Sequence, residues 1–197
     1  MKDKQYHLPV FPIPVFLLPE GVTRLRIFEP RYLKMVSMAS KEQGFIIYCN
    51  EAKTKHHEKA ATTIWGSWVE IINFNQGEDG LLEIDVKCKT LVKLHTLTLN
   101  NTDNLHYADV TLLEHWSTEN IEASNGLNNE LSAPLTKVIR NNAMLNELYP
   151  QIAKENTVWV IARWLELLPI EQVIKPIFIQ KYSFEQAKQF VQSILHH

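Results

Sequence analysis

Two cysteines and six glycines in 197 residues leave this chain short of the material for several common sites. Cys49 and Cys88 stand in separate strand-like apolar runs, where a free thiol acts as a small hydrophobe. They form neither a C-x-x-C pair nor a disulfide framework. The few glycines spell no G-x-x-x-x-G-K-[ST] phosphate loop and no G-x-G-x-x-G dinucleotide loop, and no serine stands in G-x-S-x-G. No nucleophile and base can be paired, so no catalytic residue, metal ligand or cofactor is expected. A formal charge of −2 offers no electrostatic footprint for nucleic acid or an anionic membrane. No stretch approaches the ~18 uninterrupted apolar residues of a membrane span. With no secretory leader to be read, a reducing cytoplasm is the expected compartment.

What is present is ordinary in bulk and specific in pattern. Apolar residues make up 45% and charged residues 21%, as in soluble globular proteins. A chain of this length buries about 70% of its unfolded surface. Prolines at 9, 12, 14 and 19 interrupt the apolar opening, removing backbone donors, so residues 8–17 cannot form a helix. They read as an irregular edge strand, followed by a turn at Pro19-Glu20-Gly21. A short strand over residues 25–28 then feeds a helix opening at Pro30, with Tyr32, Met35, Val36 and Ala39 on one apolar face. Gly44 stands where a left-handed C-cap is expected.

Two periods divide the chain. Through residue 115 or so the pattern is mainly period two: residues 45–49 and 68–74 are strand-like, and Gly77-Glu78-Asp79-Gly80 is a hairpin turn. Leu82, Ile84, Val86 and Cys88 then point one way, and Glu83, Asp85, Lys87 and Lys89 the other. Strand character continues through Val92, Leu94, Ala108, Val110 and Leu112. From about residue 124 the period is helical. Leu127, Leu131, Leu135, Val138 and Ile139 share a spacing, with Pro134 marking a start or kink. Residues 157–168 are apolar on nearly all sides, the mark of a central helix, and Ser183 with Gln186 reads as a capping box. The expectation is an α+β chain: an antiparallel sheet or partly closed barrel with one helix over residues 1–120, then a bundle of about four helices over 121–197.

The opening, with Leu25-Arg26-Ile27-Phe28-Glu29-Pro30-Arg31-Tyr32 after the proline-punctuated strand, resembles the N-terminal (LON) domain of Lon protease. The hairpin at Glu78-Asp79-Gly80-Leu81-Leu82 and the run Trp164-Leu165-Glu166-Leu167-Leu168-Pro169-Ile170 are similar to later family motifs and fall in the same order. The chain departs from the family pattern at Cys88-Lys89-Thr90-Leu91-Val92 and at Lys53-Thr54-Lys55-His56-His57-Glu58-Lys59. The resemblance implies a PUA-like β half and a non-catalytic, proteolysis-associated module that binds polypeptides. Its implied partners are unfolded or apolar segments, or else a protein such as full-length Lon on which it docks as an adaptor or regulator. A third reading, RNA binding, requires a basic groove built from Lys53, Lys55, Lys59, Lys87, Lys89 and Lys93.

Candidate residues follow from these readings. Edge-strand addition near residues 11–15 points to Phe11 and Val15, and Phe28 and Trp68 join them as peptide-binding candidates. Glu29, Pro30, Arg31 and Tyr32 read as a structural junction, with Glu29 and Arg31 as an ion pair at the corner. Trp159 and Trp164 belong to the helical core by spacing, whereas Trp65, Trp68 and Trp116 divide between core packing and exposed anchors. His56-His57-Glu58 reads as a solvated loop more readily than a metal site, and His95, His106 and His115 as surface or capped histidines.

Overall fold

The alternation that opens at Leu82 runs on far beyond it, into a strand of 19 residues, Leu82–Asn100. The computed structural model describes residues 4–41, 43–48, 64–116, 128–171 and 173–195. They divide into two compact units, Met1–Leu113 and Glu114–His197. In chain order the first holds β1 (Tyr6–Pro12), β2 (Val22–Ile27), α1 (Pro30–Ala39), β3 (Phe45–Tyr48), β4 (Trp65–Gln76), β5 (Leu82–Asn100) and β6 (Leu105–Leu113). The second holds α2 (Asn128–Asn141), α3 (Ala143–Leu148), α4 (Thr157–Leu167), α5 (Lys175–Phe178) and α6 (Phe184–Leu195).

The six strands form one mixed sheet in the order β2-β5-β4-β3-β1-β6. Every pair is antiparallel except β1 with β3, where Val10 pairs with Ile46. β5 also pairs with β6, which bends the sheet round on itself as a partly closed barrel. Successive side chains on a strand face opposite ways, so Leu8 and Val10 point to one side and Phe11 to the other. The first side is the barrel interior, where Leu8, Val10, Ile46, Trp68, Val92, Leu94, Ala108 and Val110 meet. On the second side Phe11 packs on Tyr32 of α1, ring centroids 4.4 Å apart. Tyr32, Met35, Val36 and Ala39 are all buried there, as the helical spacing predicts.

Three details differ from the sequence expectation. β1 is no edge strand, since it pairs with β3 on one side and β6 on the other. Pro12 stands at the end of the ladder with β3, where proline is tolerated, and Pro9 precedes that ladder but lies opposite Tyr107 in the one with β6. Gly44 does have a positive φ, +89°, yet it caps no helix, because α1 ends at Ala39. It is glycine because a Cβ there would collide with the backbone carbonyl of Val69. Pro134 lies inside α2, which continues through it, held by the buried face of Leu131, Leu135 and Ile139. Val138 of the same segment is exposed. The hairpin at residues 77–80 forms as expected, with Gly80 at φ +81° and its N–H on the Gly77 carbonyl at 2.8 Å. Leu127 lies outside the described residues.

In the second unit α4 is the central helix. Asn156 caps its start by accepting the Trp159 N–H at 3.0 Å. Residues 159–165 are all buried, including one charged residue, Arg163. Trp164 donates its ring N–H to the Leu131 carbonyl at 2.9 Å, tying α4 to α2. After α4, Lys175–Phe178 forms the short helix α5, whose Phe178 is buried.

His115, read as a surface or capped histidine, is half-buried within this unit. Its Nε2 lies 2.9 Å from the Phe178 carbonyl, which can only accept, so Nε2 carries the proton. Burial lowers its pKa to about 4. The unfolded chain takes up this proton near pH 6.5 and the folded chain only near 4. The stability this neutral histidine confers is complete above about pH 6.5 and declines as the pH falls towards 4, by about 2 kcal/mol. Urea titrations at pH 7 and pH 5 should show the decline, and His115→Gln should flatten it. An unchanged slope in that variant assigns the pH dependence to other groups.

Candidate functional site

The first half of β5 leaves the barrel and carries a three-stranded arm. β2 pairs along one side of it, from Val22 with Lys87 to Ile27 with Leu82, and the end of β4 along the other. Leu25, Ile27, Ile84 and Val86 face the core, all buried. The opposite face is polar, and Asp85, expected to be solvated there, is only 5% exposed. Arg24 clasps its carboxylate with Nε at 2.7 Å and Nη2 at 3.2 Å. The side-chain amides of Asn73 and Asn75 add donors at 3.3 and 3.1 Å. Burial pushes the Asp85 pKa up, but these hydrogen bonds, led by that from Arg24, hold it below the usual carboxylate range. The knot joins all three strands and accommodates the bulge in β4 between Ile71 and Asn73.

β4 outruns its neighbour β3, whose pairing ends with Phe45 opposite Val69. Beyond Val69, β4 pairs only with β5 among the described residues. Ile72 and Phe74, 49% and 53% exposed, stand on this free edge. The Phe74 N–H donates to Asn73 Oδ1 at 3.0 Å, the arrangement of an amide turned away from β5. The turn after β4 is pinned by an ion pair between Arg26 and Asp79.

The residues picked out from sequence fall in different places. Phe28 directly follows β2 and is 67% exposed, so it is presented on the arm. Phe11 and Trp68 are interior, because β1 has no free edge and Trp68 fills the barrel. Trp68 stacks edge-on against Tyr6 at 4.8 Å and donates its ring N–H to the Gln43 carbonyl at 2.6 Å. Val15 is half-buried in the segment after β1. Trp65 is buried against Phe16, while Trp116 is part-buried on Phe184 with its N–H on Ser183 Oγ at 3.1 Å. The four peptide-binding candidates are therefore not assembled into one surface.

The junction is as expected in kind: Arg31 Nη2 lies 2.6 Å from Glu29 Oε2, and its guanidinium lies over the Tyr32 ring at 4.8 Å. Pro30 occupies the first turn of α1. Of the lysines a basic groove would need, Lys87 is paired with Glu20 at 2.5 Å and Lys89 faces Glu70 at 3.9 Å. Lys53, Lys55, Lys59, Cys49 and the His56-His57-Glu58 run lie outside the described residues. His95 Nε2 meets Thr111 Oγ1 at 2.9 Å on the surface. Among the described residues no group of three His, Cys, Asp or Glu could hold a metal ion. No helix of the described residues is long and apolar enough to cross a membrane.

The free edge of β4 was not picked out from sequence. Its signal was present in Ile71-Ile72-Asn73-Phe74-Asn75-Gln76, six strand residues without a charge or a proline.

Comparison with known proteins gives a consistent result. The family model for the ATP-dependent protease La (LON) substrate-binding domain matches residues 7–194. No protease or ATPase domain is detected. A Lon N-terminal domain protein from Xanthomonas campestris superposes with a TM-score of 0.65 at 23% identity, over 95% of this chain and 98% of that one. The N-terminal domain of Mycobacterium avium complex Lon protease gives 0.62 at 9% identity, over 97% and 98%. No curated protein matches.

Proposed function

Because this chain belongs to the LON substrate-binding domain family, we propose that it binds unfolded or apolar polypeptide segments in the cytoplasm, as a recognition module without catalysis of its own. The observation that carries this reading is the arm of the first unit. Phe28, Ile72 and Phe74 are large apolar side chains each about half or more exposed, on a sheet made rigid by the Asp85 knot. Exposed apolar groups on a rigid frame suit ligands that bring apolar side chains and variable sequence. Paired lysines on β5 weigh against the RNA reading.

The test is titration of the full chain with a fluorescent-labelled, permanently unfolded protein and a panel of apolar peptides. Binding in the micromolar range is expected. A flat response across the whole panel removes the reading.

A second reading, docking on a partner protein, is favoured by one feature of the helical unit. Around the α5–α6 junction, Tyr182, Ile177 and Val173 are exposed beside a shallow groove that includes Pro176, Gln180 and Gln186. Purified full-length Lon is the first partner to try. Co-sedimentation abolished by Tyr182→Glu supports this role, and no co-sedimentation removes it for that partner.

A further inference from the structure

We propose that the free edge of β4, residues 71–76, takes up an extended apolar segment of another polypeptide as an added strand. This rests on the polypeptide-binding reading and adds where and how the segment is held. Four observations point there. The edge pairs only with β5 among the described residues. The Phe74 N–H is turned outward and satisfied only locally, by Asn73 Oδ1, an acceptor that an incoming backbone carbonyl can replace.

The third observation is what the edge lacks. Natural edge strands are guarded by lysines, prolines or inward charges against pairing with foreign chains. Residues 71–76 carry none of these, and Ile72 and Phe74 sit half-exposed among them. The bulge between Ile71 and Asn73 interrupts the edge at a single point and leaves the stretch beyond it regular. Fourth, the edge is set in place before anything binds. Asn73 and Asn75 both donate to Asp85 Oδ2, so the strand is already extended and little ordering remains to oppose association.

The occupant is foreign chain and not a second copy. Glu70 lies just before the edge and Glu78 in the turn just after it. Twofold antiparallel pairing of two copies would set the Glu70 end of each against the Glu78 end of the other, acid against acid. The same two carboxylates favour a segment with an apolar centre and basic flanks.

The test uses the full chain and a labelled ten-residue peptide of alternating valine and threonine with a lysine at each end. Two further versions carry N-methyl groups on alternate amides, one along each edge of the extended peptide. The valine face and the strand direction together fix which edge is offered. Strand addition predicts that one methylated version binds at least tenfold more weakly while the other is little changed. Phe74→Lys should weaken the unmodified peptide about tenfold, whereas Leu112→Ser, at an equally exposed position on β6, should not. Ile72→Lys, at another exposed position, serves where Phe74→Lys does not fold.

If the unmodified peptide and both methylated versions bind equally, strand addition is overturned and polypeptide binding survives. Failure of every peptide and of unfolded protein to bind overturns both. Concentration-dependent dimers that Phe74→Lys dissolves, with no peptide binding, make a second copy the occupant and overturn the proposal.

Discussion

Arg163→Ala is expected to destabilise the helical unit by about 3–5 kcal/mol, the cost of breaking a buried ion pair by removing one partner. Arg163 is 1% exposed at the centre of α4. Its Nε and Nη2 meet the two oxygens of Glu166 at 2.6 and 2.7 Å, one helical turn on. The guanidinium also lies over the Trp159 ring at 5.5 Å. Planar, bidentate and stacked, this arrangement uses what arginine has and lysine lacks, so Arg163→Lys should recover little. Alanine would strand the Glu166 carboxylate in a site where it is only 8% exposed. A joint change of Arg163 and Glu166 to methionine removes both charges and should restore most of the loss. Urea titration followed by tryptophan fluorescence reads all three variants. A loss below about 1 kcal/mol for Arg163→Ala would show the pair to behave as a surface one.

Asp85→Ala should be the most damaging single change in the arm, at about 3 kcal/mol, because it strips four donors of their common acceptor. The sign of its pH dependence follows from the direction of the shift. Asp85 titrates near 3.8 when unfolded and lower when folded. Its contribution is therefore complete above about pH 4 and is lost as the pH falls through the folded value. Asp85→Asn keeps the shape and removes the charge, so it should lie between native and alanine and lose this acid-side decline. Both variants should also weaken peptide binding, since they release Asn73 and Asn75. A binding curve unchanged in Asp85→Ala would separate the edge of β4 from the site.

Local order was readable in this sequence and closure was not. The alternation from Leu82, the hairpin at Gly77 to Gly80 and the apolar face of α1 are each set by residues within a few positions of one another. The place of β1 depends instead on Tyr6 meeting Val110 and Val10 meeting Ile46, pairings that no local pattern announces. Pro9 and Pro12 therefore suggest an edge when read alone, and that error carried Phe11 into the candidate list. Asp85 alternates correctly with its neighbours, yet residues from two other strands bury it. Arg163 occupies an interior position of a helix otherwise apolar on all sides, and the pattern gives no reason to expect a cation there. Phe28 was legible as a large apolar residue beside a charged corner, and it is the candidate left in solvent. Ile72 and Phe74 look like any buried strand, because how far β4 outruns β3 depends on where the partner stops.

The double pairing of β1 also bears on how the chain comes into being. One of its two neighbours, β6, leaves the ribosome about a hundred residues after it, at synthesis rates that amount to many seconds. Until β6 arrives, the apolar ribbon of Leu8, Val10 and Phe11 has at most its short ladder with β3 to hold it. Pro9 and Pro12 deny such a ribbon the backbone donors that premature partners would use, and so guard it until its berth between β3 and β6 exists.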